Sequence, residues 1–156
     1  MKEKIPAEMQ SYRAWVVWRY IVRGGKETKV PHDPLTGFRA SSTDSRTWRS
    51  FEEAVAAYEN GGHGGVRFVL SSGDPYTGVD LDGCRDAESG ELADWAAVMI
   101  ERLGGYAEVS PSGRGVHVIV RGELPEGTRH KVAGASGGAI EAYDAKRFFT
   151  VTGVAL

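Results

Sequence analysis

Asp80 and Asp82 stand two residues apart in Val79-Asp80-Leu81-Asp82. On a strand both carboxylates would point to one face, with Val79 and Leu81 on the other. Carboxylate oxygens are natural ligands of hard cations such as Mg²⁺ and Mn²⁺. Two acids so placed can bridge two ions roughly 3.5–4 Å apart, one activating an attacking oxygen and one stabilising a leaving oxygen. Two solvated acids at a strand end would have the same spacing, so the pair alone leaves both readings open. The run Ser110-Pro111-Ser112-Gly113-Arg114-Gly115-Val116-His117 adds a glycine-containing turn that leads into a strand. Backbone N–H groups in such turns form anion-binding concavities. Ser112 adds a hydroxyl, Arg114 a guanidinium fork and His117 an imidazole donor for a phosphate oxygen. The competing reading is a plain hairpin turn in which Pro111 and Gly113 serve the backbone and His117 is merely exposed. Glu141, in the apolar stretch Ala139-Ile140-Glu141-Ala142, is accounted for by a metal, a partner lysine or simple exposure. Arg147 follows the turn Asp144-Ala145-Lys146 and could return beside Glu141, reaching a triphosphate. If these strands share a sheet, three carboxylates and an imidazole occupy one open face beside a glycine-rich turn. That set suits divalent cations holding a triphosphate.

The elements that would position these residues follow from patterning. Ala14 to Val22 is rich in aromatic and β-branched residues and reads as a strand, turned at Arg23-Gly24-Gly25-Lys26 and returning over Glu27 to Val30. Pro34 and Gly37 punctuate an irregular stretch from Pro31 to Asp44. Ser50 with Glu53 signals a capped helix through about Glu59, ended by Asn60-Gly61-Gly62. Strands are predicted at 65–70, 78–81, 106–109, 115–120, 139–143 and 148–151. A second helix is predicted at about 91–103, with Leu92, Trp95, Ala96, Met99 and Leu103 at helical spacing. The connection 121–138 reads as a long loop. The expectation is an α+β fold, a mostly antiparallel sheet with helices against one face.

Bulk properties narrow the class. The 156 residues suffice for one domain with its own core. No apolar run approaches the roughly 18 residues of a membrane span, and the N-terminus lacks a signal-peptide pattern, so a cytoplasmic protein without membrane contact is expected. Cys84 is the single cysteine, which excludes an internal disulfide and a four-cysteine zinc site. Charge is uneven. Residues 1–50 carry ten Lys/Arg against five Asp/Glu, and residues 51–100 carry two against ten. Cations would relieve the acidic middle, and phosphates suit the basic first third. A solvated surface of uneven charge describes the same counts. A Walker-type motif is absent, as are paired histidines for zinc hydrolysis.

Taken in order, these motifs resemble the archaeo-eukaryotic primase superfamily, specifically the bifunctional primase-polymerase (prim-pol) domains of phage and plasmid replication proteins. The family's acidic motif is similar to Asp80-Leu81-Asp82. Its Ser-x-His-like motif is similar to Gly115-Val116-His117 after Ser110-Pro111-Ser112-Gly113, with Gly115 where the family has serine. Its hydrophobic-acid motif is similar to Ile140-Glu141, continued by Arg147-Phe148-Phe149-Thr150-Val151-Thr152-Gly153. Trp15-Val16-Val17-Trp18-Arg19, Lys29-Val30-Pro31, Pro34-Leu35-Thr36-Gly37 and Trp48-Arg49-Ser50-Phe51 are similar to the N-terminal pattern of the phage branch.

The resemblance spans about residues 14–153 and implies a single catalytic domain over residues 1–156. It further implies an RRM-like catalytic half joined to an N-terminal α/β half, with the active site between them. Asp80, Asp82 and Glu141 would be catalytic and bind two divalent ions, Mg²⁺ or Mn²⁺, with no zinc. Ser112, Gly113, Arg114, His117, Arg147 and Lys29 would hold the nucleotide. The implied activity is template-directed nucleotidyl transfer from a (d)NTP to a primer 3′-hydroxyl on single-stranded DNA. The accessory helical or helicase domain of larger relatives does not fit in this length, so the chain is expected to be the catalytic part of a longer replication protein. Two alternatives stay open: a non-catalytic single-strand-binding module, and a metal-dependent nuclease.

Overall fold

In the computed structural model, which describes residues 4–134 and 136–156, the β-branched and aromatic run after Ala14 forms strand β1 (Trp15–Arg23). Gly24 and Gly25, both at positive φ, turn it into β2 (Lys26–His32). The chain divides into two units, one of Pro6–Ser71 with Lys146–Val151, the other mainly of Ser72–Ala145 with Thr152–Leu156.

The first unit holds a four-stranded antiparallel sheet in the order β2-β1-β3-β9, with β3 at Gly65–Leu70 and β9 at Arg147–Val151. Helix α1 (Ala7–Gln10) precedes it. Helix α2 (Phe51–Glu59) starts where the sequence predicts, because Ser50 and Glu53 form a reciprocal capping box. The Glu53 carboxyl is held below its ordinary range, chiefly by the Ser50 N–H it accepts. Phe51 from α2 meets Trp15 with ring centroids 4.7 Å apart, and Trp15 meets Phe68 at 5.2 Å. All three rings are fully buried.

Several residues of the N-terminal pattern also shape the loop after β2. Asp33 accepts from the amides of Leu35 (2.9 Å) and Thr36 (3.4 Å) and pairs with Arg49 at 2.6 Å. The Trp48 indole N–H donates to the Ser41 carbonyl at 2.6 Å.

The second unit holds a five-stranded antiparallel sheet, β5-β6-β4-β8-β7. Its strands are β4 (Tyr76–Asp82), β5 (Tyr106–Val109), β6 (Val116–Arg121), β7 (Lys131–Ala133) and β8 (Ala139–Tyr143). Helix α3 (Asp94–Leu103) packs Ala96 and its partly buried Trp95, Met99, Ile100 and Leu103 on Val79, Leu81, Val116 and Val118. Cys84 is a buried free thiol of that core.

Four details depart from the sequence reading. There are two sheets rather than one, although the α+β class and the antiparallel pairing hold. Helix α3 begins at Asp94 rather than near Glu91. Residues 85–92 instead close a turn in which Asp86 accepts from the Glu88 and Ser89 amides and Arg85 bridges to Leu92. The long connection after β6 contains a strand, β7. Finally, Arg147 does not return beside Glu141 as a hairpin, because β9 pairs with β3 in the other sheet.

Candidate active site on the second sheet

Register, more than sequence spacing, assembles this site. Asp80 on β4 lies opposite His117 on β6 and opposite Glu141 on β8. His117 in turn lies opposite Glu108 on β5, and Glu141 opposite Lys131 on β7. One cross-strand row therefore reads Glu108, His117, Asp80, Glu141, Lys131 across all five strands. Side chains opposite one another share a face, and the other face carries Val79, Leu81, Val116 and Val118 of the core. Asp82, two residues beyond Asp80, lies on the same face and is exposed.

His117 is not the exposed group that alternation alone suggested. It is only 6% exposed. Its Nδ1 stands 3.5 Å from Glu108 Oε1, and its Nε2 stands 3.7 Å from Asp80 Oδ1. Two carboxylates thus flank one imidazole. Glu108, 0% exposed, was missed by the sequence reading. It accepts from the Thr152 amide (2.7 Å), the Gly153 amide (2.9 Å) and the Tyr106 hydroxyl (3.0 Å), as a buried carboxylate must. Burial first, and then the Glu108 charge, raises the Tyr106 phenol above its usual range and keeps it a donor. The signal available was an acid in the short strand Tyr106-Ala107-Glu108-Val109, but alternation cannot say which face a neighbouring segment covers.

Glu141 is held by Lys131 at 2.8 Å and by the Tyr143 hydroxyl at 3.3 Å. A lysine partner was one of the readings left open for it. Glu141 first, with a smaller contribution from Asp82, raises the exposed Lys131 ammonium above its ordinary value. Carboxylate oxygens on one sheet face match a hard cation in chemistry. Among the described residues, however, no three His, Cys, Asp or Glu side chains are gathered as a ready-made cation cage.

The glycine-rich turn lies at the start of β6. The Ser110 and Gly115 backbones pair at 3.0 Å, and the Gly113 amide donates to the Ser110 carbonyl at 2.9 Å. The Arg114 amide donates to Ser112 Oγ, which also lies 3.1 Å from Ser110 Oγ. Three of the turn's amides, those of Ser110, Gly113 and Arg114, are thus engaged within it, and the exposed Arg114 side chain and Ser112 hydroxyl are its outward chemistry. Arg85, also unremarked in the sequence, braces the turn by donating to the Gly113 carbonyl at 2.8 Å.

Gly115 is glycine for a packing reason. A Cβ there would come within 2.7 Å of the Leu81 carbonyl oxygen. A Cβ at Gly138 would likewise collide with the Asp82 carbonyl. Glycines therefore let the neighbouring chain press against the end of β4 on both sides.

The predicted nucleotide-binding residues divide between the units. Ser112, Gly113, Arg114 and His117 belong to the second, Lys29 and Arg147 to the first. Lys29 is half-buried, its ammonium 4.8 Å from the centre of the Trp18 ring and 6.0 Å from that of Tyr20. Arg147 is exposed at the start of β9.

No protein-family model matches the chain. Over 152 residues, 96% of its length, it is 38% identical to a DNA primase-polymerase of Nitratiruptor phage NrS-1, and it spans 21% of that relative's length. The resemblance to phage-type primase-polymerase domains, carried in the sequence by the Asp80, His117 and Glu141 motifs, thus holds at 38% identity across nearly the whole chain.

Proposed function

We propose that this chain is the nucleotidyl-transfer domain of a DNA primase-polymerase, adding nucleotides from a (d)NTP to a primer 3′-hydroxyl on a single-stranded template. The observation that carries the reading is the cross-strand row, in which Asp80 faces both His117 and Glu141 while Asp82 shares their face. Similarity to a protein named a DNA primase-polymerase supports it.

Asp80, Asp82 and Glu141 would hold Mg²⁺ or Mn²⁺, which when bound supplies charge stabilisation at the transferring phosphoryl group. Lys131 would compete with such an ion for Glu141. The His117 Nδ1 lies 3.5 Å from Glu108 and its Nε2 edge faces Asp80, where it would donate to a phosphate oxygen. Ser112 and Arg114 offer a hydroxyl and a guanidinium fork to the same triphosphate, with Gly113 shaping their turn. Lys29 and Arg147, both of the first unit, are the further residues proposed to bind nucleotide. The protein's part is positioning and electrostatic complementarity rather than covalent chemistry. The full reading is one catalytic domain over residues 1–156 that acts in the cytoplasm within a longer replication protein, beside a helical or helicase domain.

Triphosphate binding separates this reading from its rivals. A single-strand-binding module has no use for the three carboxylates, and a nuclease has no use for a triphosphate pocket. Calorimetry with a nucleoside triphosphate and Mg²⁺ is expected to give saturable binding that Asp80→Asn weakens. Strand binding or cleavage with no triphosphate binding would favour a rival.

A further inference from the structure

Arg67 is a cation without a carboxylate. It sits partly buried in the middle of β3, and its Nε donates to Thr150 Oγ1 at 2.9 Å. No acidic side chain among the described residues pairs with it. Burial pushes its guanidinium down to about 10, and the charge of nearby Arg147 adds to the shift. A cation drawn part-way out of water toward a second cation costs free energy unless an anion compensates it.

Its surroundings say which anion. Arg67 lies opposite Val16 on β1 and Thr150 on β9. Strand alternation therefore puts it on the face of Trp18 and Tyr20, and Lys29 lies opposite Tyr20 on that same face. The core of Trp15, Phe51 and Phe68 occupies the other face. The Tyr20 ring meets Trp18 edge-on, with centroids 5.0 Å apart, and is itself 52% exposed. Two cations, a hydroxyl and an exposed aromatic ring on one sheet face are the groups that hold a phosphate and stack a base.

We propose that Arg67, oriented by Thr150, receives a phosphate group on this face, from either the incoming nucleotide or the phosphodiester backbone of a strand. A guanidinium fork fixed at Nε presents its remaining N–H groups for a bidentate contact that lysine cannot reproduce. The assignment rests on the polymerase reading only for its choice of probes.

The test titrates wild type, Arg67→Met and Arg67→Lys with a nucleoside triphosphate alone and with single-stranded oligothymidylate alone, each with Mg²⁺. No turnover occurs with either probe by itself, so the catalytic reading, judged by incorporation in Asp80→Asn, stands or falls separately. Arg67→Met is expected to weaken one probe by about tenfold to a hundredfold, with a smaller loss in Arg67→Lys. The probe that moves identifies the source, and for the strand the salt slope also falls by about one. Without ligand, Arg67→Met should melt no lower than wild type, because a partly buried unpaired charge has gone. Unchanged binding of both probes would overturn the assignment. So would a loss of ligand-free stability in both variants, which would make Arg67 a structural group.

Discussion

At the scale of single residues, His117 carries the most information, because its neighbours come from the two strands on either side of its own. Glu108 and Asp80 flank its two ring nitrogens at 3.5 and 3.7 Å. Under the proposed function, His117→Ala should raise the Kd for a nucleoside triphosphate about tenfold to a hundredfold and leave nucleoside binding nearly unchanged. Calorimetry with both ligands checks this, and equal losses for the two would contradict a phosphate role. Lys131 gives a second prediction, of opposite sign. Its 2.8 Å contact with Glu141 competes with any cation on that carboxylate. Lys131→Met should therefore lower the Mn²⁺ concentration needed for half-maximal incorporation, read from a metal titration. The types and spacing of Asp80, Asp82, His117 and Glu141 were legible in the sequence. Glu108 and Arg67 were not, since each is singled out by partners, or by the lack of them, more than 40 positions away in the chain.

At the scale of elements, local signals worked where the deciding contacts are local. The Ser50–Glu53 box fixed the start of α2, and the Gly24-Gly25 turn fixed the first hairpin. Ser50→Ala should cost about 1 kcal/mol, seen as a lower Tm with little effect on chemistry. Patterning placed α3 and its end but set its start about one turn early, where the Asp86-centred hydrogen bonds hold the chain in a turn. It missed β7, which pairs only at an edge and buries nothing. Gly115 shows how packing overrides a motif. Restoring the family's serine there would push a Cβ against the Leu81 carbonyl and separate β6 from β4. Gly115→Ser should accordingly lower Tm and weaken triphosphate binding together, because His117 rides on β6. A variant as stable and as tightly binding as wild type would contradict this account of the turn.

At the scale of the whole molecule, the α+β class was legible because alternating strands and two amphipathic helices leave few other solutions. The division of the strands into two sheets was not, since β8 and β9 are separated by only three residues yet pair in different sheets. Charge also acts at this scale. Burial first, and then Arg19, holds His32 and His63 below the ordinary histidine pKa. The unfolded chain therefore takes up protons near pH 6.5 that the folded one does not. Stability contributed by these neutral imidazoles is present above that pH and declines as pH falls through it. Melting curves between pH 7.5 and 5.5 should show a falling Tm, with a shallower fall in His63→Asn.

Under the proposed function, the carboxylates of the second sheet support metal-dependent nucleotide addition. Its most direct measurement is incorporation of labelled nucleotides by residues 1–156 on a primed single-stranded template, with Mg²⁺ or Mn²⁺, in wild type, Asp80→Asn and Asp82→Asn. Wild type is expected to extend the primer with either ion and not after chelation, and neither variant should extend it, with circular dichroism and Tm unchanged or Tm slightly raised. Extension at the wild-type rate by either folded variant would contradict it.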